Sequence, residues 1–162
     1  MDFVWSPWRM EYIRREDPPD GCIFCDAPKH EDNAENLIVH RGKRSFVILN
    51  RYPYTSGHVM VIPFAHVSTM HDLPEETIME MMSLTRTAMS VIEKVYHPDG
   101  FNFGANLGVE AGAGIANHVH FHIVPRWGGD TNFMTAISAT RVLPEELCET
   151  YARIAAAWPT GA

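Results

Sequence analysis

The stretch His118-Val119-His120-Phe121-His122-Ile123-Val124 decides how the rest of the chain is read. Histidine alternates with apolar residues at period two, the pattern of a β-strand with one buried face. On such a strand His118, His120 and His122 point to one side, and Val119, Phe121 and Ile123 point into a core. Three imidazoles in a row are not a stability device, because histidine is a modest strand former and protonated neighbours repel. The pattern therefore calls for a metal, a proton relay or a bound anion.

The residues just before the strand favour the anion. Gly108 to Asn117 is a loop of mostly small residues. Glycines such as Gly112 and Gly114 let backbone N–H groups converge on an anion without formal charge. A histidine row downstream then faces a bound phosphate. An imidazole with its ordinary pKa of about 6.5 is largely unprotonated at neutral pH and is a competent nucleophile. A protonated neighbour stabilises the phosphoryl oxygens and the leaving group. The middle residue, His120, is the candidate nucleophile, flanked by His118 and His122.

A catalytic metal is the competing use of the row, since alternating histidines serve as ligands in several zinc sites. Such centres normally want a carboxylate as well, and the nearest acids, Glu110 and Asp130, lie outside the strand. A structural metal is a separate matter. Cys22-Ile23-Phe24-Cys25 has the spacing of a zinc knuckle, and a histidine from elsewhere would complete a Cys₂His₂ set.

Outward from these motifs, 162 residues suffice for one domain with a proper core. With 46% hydrophobic and 20% charged residues the composition is that of a soluble globular protein. A net charge of −7 without any lysine/arginine run argues against a nucleic-acid partner. No apolar stretch approaches a membrane span, and Met1 to Trp5 lacks the basic start of a secretory signal. Three cysteines, two of them a close pair, fit a reducing, cytoplasmic setting.

Leu37 to His40 and Phe46 to Leu49 read as an antiparallel hairpin, and His58 to Ile62 as a third strand closed by Pro63. Pro74-Glu75-Glu76 opens a long helix, with proline and acids at the positive end. Its main apolar stripe is Ile78, Met81, Met82, Met89, Ile92, Val95 and Tyr96, and it ends near His97. Leu84 and Val91 form a second stripe that points to a partner. Phe101 to Leu107 is a fourth strand, and Pro125-Arg126 should end the fifth. Leu143 to Glu146 opens a C-terminal helix reaching about Trp158. His30 and His40 read as surface residues. The expected class is α+β: about five antiparallel strands, one long helix and a C-terminal helix in a single domain. Residues 1–21, with Trp5, Pro7 and Trp8, form an N-terminal arm; 22–127 are the core; 128–162 are a C-terminal extension.

Asn50-x₇-His58, the loop Glu110 to Gly114, and His118 to Val124 followed by Pro125-Arg126 resemble the histidine triad (HIT) family of nucleotide hydrolases and transferases. The continuation Trp127 to Phe133 and the N-terminal Trp5-x-Pro7 are similar to its bacterial diadenosine polyphosphate phosphorylase and hydrolase branch. The resemblance implies a HIT-like fold and cleavage of dinucleoside polyphosphates at the α-phosphate through a nucleotidyl-histidine. It assigns attack to His120, an oxygen contact to His122, orientation of the nucleophile to His118 and support of the triad to His58. It places Asn50 at the ribose, Asn106 at the phosphate chain, and Ile23, Phe24 and Ile48 in the base pocket. It also implies a structural Zn²⁺ on Cys22, Cys25, His66 and His118, no organic cofactor, and a homodimer. The family's glutamine or serine near the leaving group has no counterpart in the 110–118 loop. Hydrolysis of nucleoside phosphoramidates or acyl-adenylates is the alternative activity, and a non-catalytic nucleotide or zinc binder the alternative class.

Overall fold

A computed structural model describes residues 21–130 and 144–159. The expected N-terminal arm, apart from Gly21, and residues 131–143 and 160–162 of the C-terminal extension lie outside these residues.

Five strands form one antiparallel sheet: β1 (Ile38–Arg41), β2 (Ser45–Leu49), β3 (Val59–Pro63), β4 (Gly100–Gly104) and β5 (Phe121–Arg126). Their order is β1-β2-β3-β5-β4. Among the described residues three α-helices accompany it: the one-turn α1 (Ile23–Asp26), the long α2 (Glu75–Tyr96) and the C-terminal α3 (Leu147–Ala157). α2 packs on β2, β3 and β5, while α3 packs on α2 and β1. The α+β class and the hairpin are as the patterning predicts.

Register places the site. Ile48 pairs with Met60, and Met60 pairs with His122. Side chains directly across a ladder share a face, so these three form a row across the sheet. Phe121 and Ile123 alternate to the other face and belong to the core.

Several expectations need correction. Strand β5 starts at Phe121, so His118 and His120 precede it rather than lie on it. Val119 N–H instead bonds to the Val67 carbonyl at 2.7 Å. Pro125 does not end the strand. The ladder to β3 extends only to Ile123, so Pro125, paired with Phe101 on β4, needs no donor on the β3 side. Leu84 and Val91 are core residues of α2, each 5% exposed, and Met82 of the predicted main stripe turns outward at 39%. Flanked by the sheet and by α3, α2 buries a wider arc than a single stripe, and no partner face follows from it. His40 is also more than a surface residue: it is half-buried and stacks on Trp158, ring centroids 5.0 Å apart.

The β1–β2 turn is held by α2. Glu80 Oε1 accepts the Arg44 N–H at 2.8 Å, the Ser45 N–H at 2.9 Å and the Ser45 hydroxyl at 2.8 Å. A Cβ on Gly42 would sit 2.5 Å from the same oxygen, which is why the turn carries glycine there. Burial alone would raise the Glu80 pKa, but the hydrogen bonds outweigh it and leave it below 4.5. A depressed carboxyl contributes stability above its unfolded pKa and loses it as pH falls through the folded one. Glu80→Ala should therefore cost about 1–3 kcal/mol at neutral pH. In urea melts at falling pH, the gap to wild type should close below pH 4.5.

Candidate active site and metal cluster

A cleft of about 750 Å³ lies between α1 with the segment that follows it and the strands β2, β3 and β5. Ile23 and Phe24 line it from α1 and Ile48 from β2, and Asn50, Asn106, Gly112, Gly114, His120 and His122 line the rest. All the residues expected at the substrate are thus brought together. Phe24 is 4% exposed and packs on the His120 ring at 4.9 Å, screening it from solvent.

Hydrogen bonds fix a different protonation on each histidine of the pair. His120 Nδ1 lies 2.8 Å from the His118 carbonyl oxygen, which only accepts. The proton of neutral His120 therefore sits on Nδ1, and Nε2 carries a lone pair. Burial holds the His120 pKa below 6.5, although the bond to the carbonyl opposes the shift, so the ring is neutral at neutral pH.

His122 is set the opposite way by a two-step relay. The Tyr54 backbone N–H donates to His58 Nδ1 at 3.1 Å. Neutral His58, fully buried, then has its proton on Nε2 and donates to His122 Nδ1 at 3.0 Å. Neutral His122 in turn carries its proton on Nε2. One ring offers a nucleophilic nitrogen, and its neighbour, 4.9 Å away between centroids, offers an N–H.

His118 works through its backbone. Its carbonyl holds the His120 ring, and its own ring turns away from the row. His118 Nε2–H donates to the Pro63 carbonyl at 2.9 Å, which leaves Nδ1 as a lone pair. That lone pair faces Cys22 Sγ at 3.3 Å, Cys25 Sγ at 3.6 Å and His66 Nδ1 at 3.3 Å. Cys25 Sγ is also 3.3 Å from His66 Nδ1. The four donor atoms all lie within 4.8 Å of one another.

Tetrahedral zinc, with bonds of about 2.3 Å to sulfur and 2.05 Å to nitrogen, separates S and N ligands by about 3.6 Å and two nitrogens by about 3.3 Å. The donor set and its spacing fit that ion. The carbonyl behind Nε2 is the usual outer partner of a ligating histidine. Burial, followed by the neighbouring Cys22, raises the Cys25 thiol above its ordinary pKa.

The expected nest of amides is narrower than read from sequence. The Gly112 N–H closes a turn on the Val109 carbonyl at 2.8 Å, and Gly112 takes φ of +82°, a left-handed backbone that glycine adopts freely. Asn106 Nδ2 donates to the Gly112 carbonyl at 3.3 Å and so ties the loop to the end of β4. Asn50 Oδ1 accepts the Tyr52 N–H at 2.9 Å. Sequence reasoning missed Tyr54 and Pro63. Both act through backbone groups, so residue type carried no signal, although the Tyr54 ring also packs against those of His58 and His122, with centroids 4.8 and 6.3 Å away.

A family model described as a HIT domain matches residues 31–129. The chain belongs to the HIT family. A relative from Mycobacterium tuberculosis named AP-4-A phosphorylase is 42% identical, covering 96% of this chain and 83% of its own. An adenosine 5′-monophosphoramidase from Saccharomyces cerevisiae is 32% identical over 65% of this chain and 63% of its own. A solved Zn-bound histidine triad family protein from Mycobacterium smegmatis superposes with a TM-score of 0.68 at 28% identity. That match covers 85% of this chain and 93% of the other. Among the described residues no helix is long and apolar enough to cross a membrane.

Proposed function

We propose that this HIT protein cleaves dinucleoside polyphosphates, with diadenosine tetraphosphate as reference substrate, by transferring a nucleotidyl group to His120. The opposite protonation of His120 and His122 carries the reading. His120 Nε2 attacks the α-phosphorus, a P–N bond forms, and the P–O bond to the departing nucleoside polyphosphate breaks. The His122 N–H stabilises the departing or non-bridging oxygen as charge builds there. The Nδ1–H of His120, held by the His118 carbonyl, keeps the ring aligned and takes up the positive charge created by attack. An acceptor oxygen then displaces His120, breaking the P–N bond. Asn50 and Asn106 are assigned to ribose and phosphate, and Ile23, Phe24 and Ile48 to the base.

The M. tuberculosis relative supports phosphate as that acceptor. Product analysis decides it. With inorganic phosphate present, diadenosine tetraphosphate should give ADP and ATP in equal amounts. AMP and ATP at every phosphate concentration would make the enzyme a hydrolase. Turnover of adenosine phosphoramidate alone would overturn the substrate class.

Zinc is proposed for Cys22, Cys25, His66 and His118, supported by their spacing and by the Zn-bound relative. Such an ion has every position filled by protein and serves as a clamp rather than a Lewis acid. Thiolate ligands fit the reducing cytoplasm. A homodimer is proposed through the outer side of β4, where Asn102, Phe103 and Gly104 are exposed; a mass in solution of one chain would refute it.

A further inference from the structure

The wall of the cleft that faces the sheet is fixed to the core at its start by Phe24, but the part that follows has little apolar material of its own. Asp26, Ala27, Lys29 and His30 line the cleft from this side, yet only Ala27 packs against the core. The wall hangs from the metal cluster at one end and needs a second anchor. Arg41, on β1, supplies it. Its Nη1 donates to the Pro28 carbonyl at 2.7 Å and its Nη2 to the His30 carbonyl at 2.8 Å. Nε and Nη2 together grip the Asp32 carboxylate, at 2.9 and 2.7 Å.

We propose that Arg41 is a positioning residue that sets the width of the nucleotide cleft, and so the affinity for the bound 5′-nucleotide unit. The proposal rests on the functional reading above and names the residue that holds its pocket in shape. A partly exposed Arg–Asp pair alone stabilises little. Three acceptors on one planar fork do something else: they fix the direction and distance of the 28–32 segment relative to β1. β1 leads through a tight turn into β2, which carries Ile48, so Arg41 ties the two sides of the cleft to one strand pair. Lysine, a point donor on a flexible stem, cannot span the three acceptors. The Arg41 hydrogen bonds run to Pro28, His30 and Asp32, so its loss should act on binding rather than on chemistry.

The test compares wild type with Arg41→Ala, Arg41→Lys and Asp32→Ala, and with Arg126→Ala, which removes an ion pair to Asp130 outside the cleft. AMP affinity is read by calorimetry, and KM and kcat with diadenosine tetraphosphate. Both Arg41 variants should raise the AMP Kd and the KM by about tenfold with kcat within about twofold, the pattern of lost uniform binding. Asp32→Ala should give a smaller rise of the same kind, and Arg126→Ala none. Unchanged AMP affinity in folded Arg41 variants, a fall in kcat at constant Kd, or an equal effect from Arg126→Ala would each overturn the proposal. If Arg41→Ala does not fold, Arg41→Lys and Asp32→Ala carry the same decision. A wild type that binds no AMP would refute the functional reading itself, and this inference with it.

Discussion

Replacing His120 by asparagine is expected to lower turnover of diadenosine tetraphosphate by about 10⁴-fold or more, the scale on which removing a nucleophile acts. Asparagine is the informative choice because its amide N–H₂ can still donate to the His118 carbonyl that holds Nδ1 of His120 at 2.8 Å. The backbone keeps its partner while the lone pair on Nε2 is lost. His122→Asn, in contrast, should leave the nucleophile and remove the donor opposite it, for a loss of about 10²–10⁴-fold. The leaving group then separates the two roles. A polyphosphate oxygen, with a pKa of about 6, departs with little help from a proton. An amine must be protonated. The His122 variant should therefore lose more on adenosine phosphoramidate than on diadenosine tetraphosphate, whereas the His120 variant should lose both equally. Quenching with labelled substrate should trap nucleotide on wild type and on the His122 variant, and none on the His120 variant. Full activity in His120→Asn would end the covalent mechanism.

The sequence carried the sheet, the hairpin and the triad because each is written in local periodicity or residue type. Where it misled, long-range partners decide. Three histidines at period two look equivalent, but the ladder begins at Phe121, and the Val67 and Pro63 carbonyls redirect the residues before it. Neither carbonyl leaves a trace in the periodicity of residues 118–124. Leu84 and Val91 read as a second face since a helix wheel shows how wide the apolar arc is, not how many neighbours cover it. Tyr54 fell inside a stretch legible only as loop, and its contribution is an amide that any residue but proline would offer. The full Cys22, Cys25, His66 and His118 cluster was legible only as a family likeness, because the spacing of Cys22 and Cys25 names two members and leaves the other two to the fold.

Stripping the metal should cost nearly as much as any substitution in the core. The protein purified from zinc-containing medium is expected to hold one zinc per chain. A site occupied at about a thousand times its dissociation constant adds about 4 kcal/mol to the folded state. At about 2–4 °C per kcal/mol for a chain of this size, removal by a strong chelator should lower Tm by about 8–16 °C. Zinc, and not magnesium, should restore it, since thiolates and imidazoles select the softer ion. Cys25→Ser should behave as the stripped protein whether or not zinc is added. The loss should also reach the nucleophile. His118 faces the cluster with Nδ1 and His120 with its carbonyl, so freeing its ring loosens the peptide that aims His120. Trapping of labelled nucleotide should then slow along with the drop in Tm. A Tm that does not move on chelation, in protein shown to have held no zinc, would reduce the four side chains to a packed cluster and leave His118 only its carbonyl to contribute.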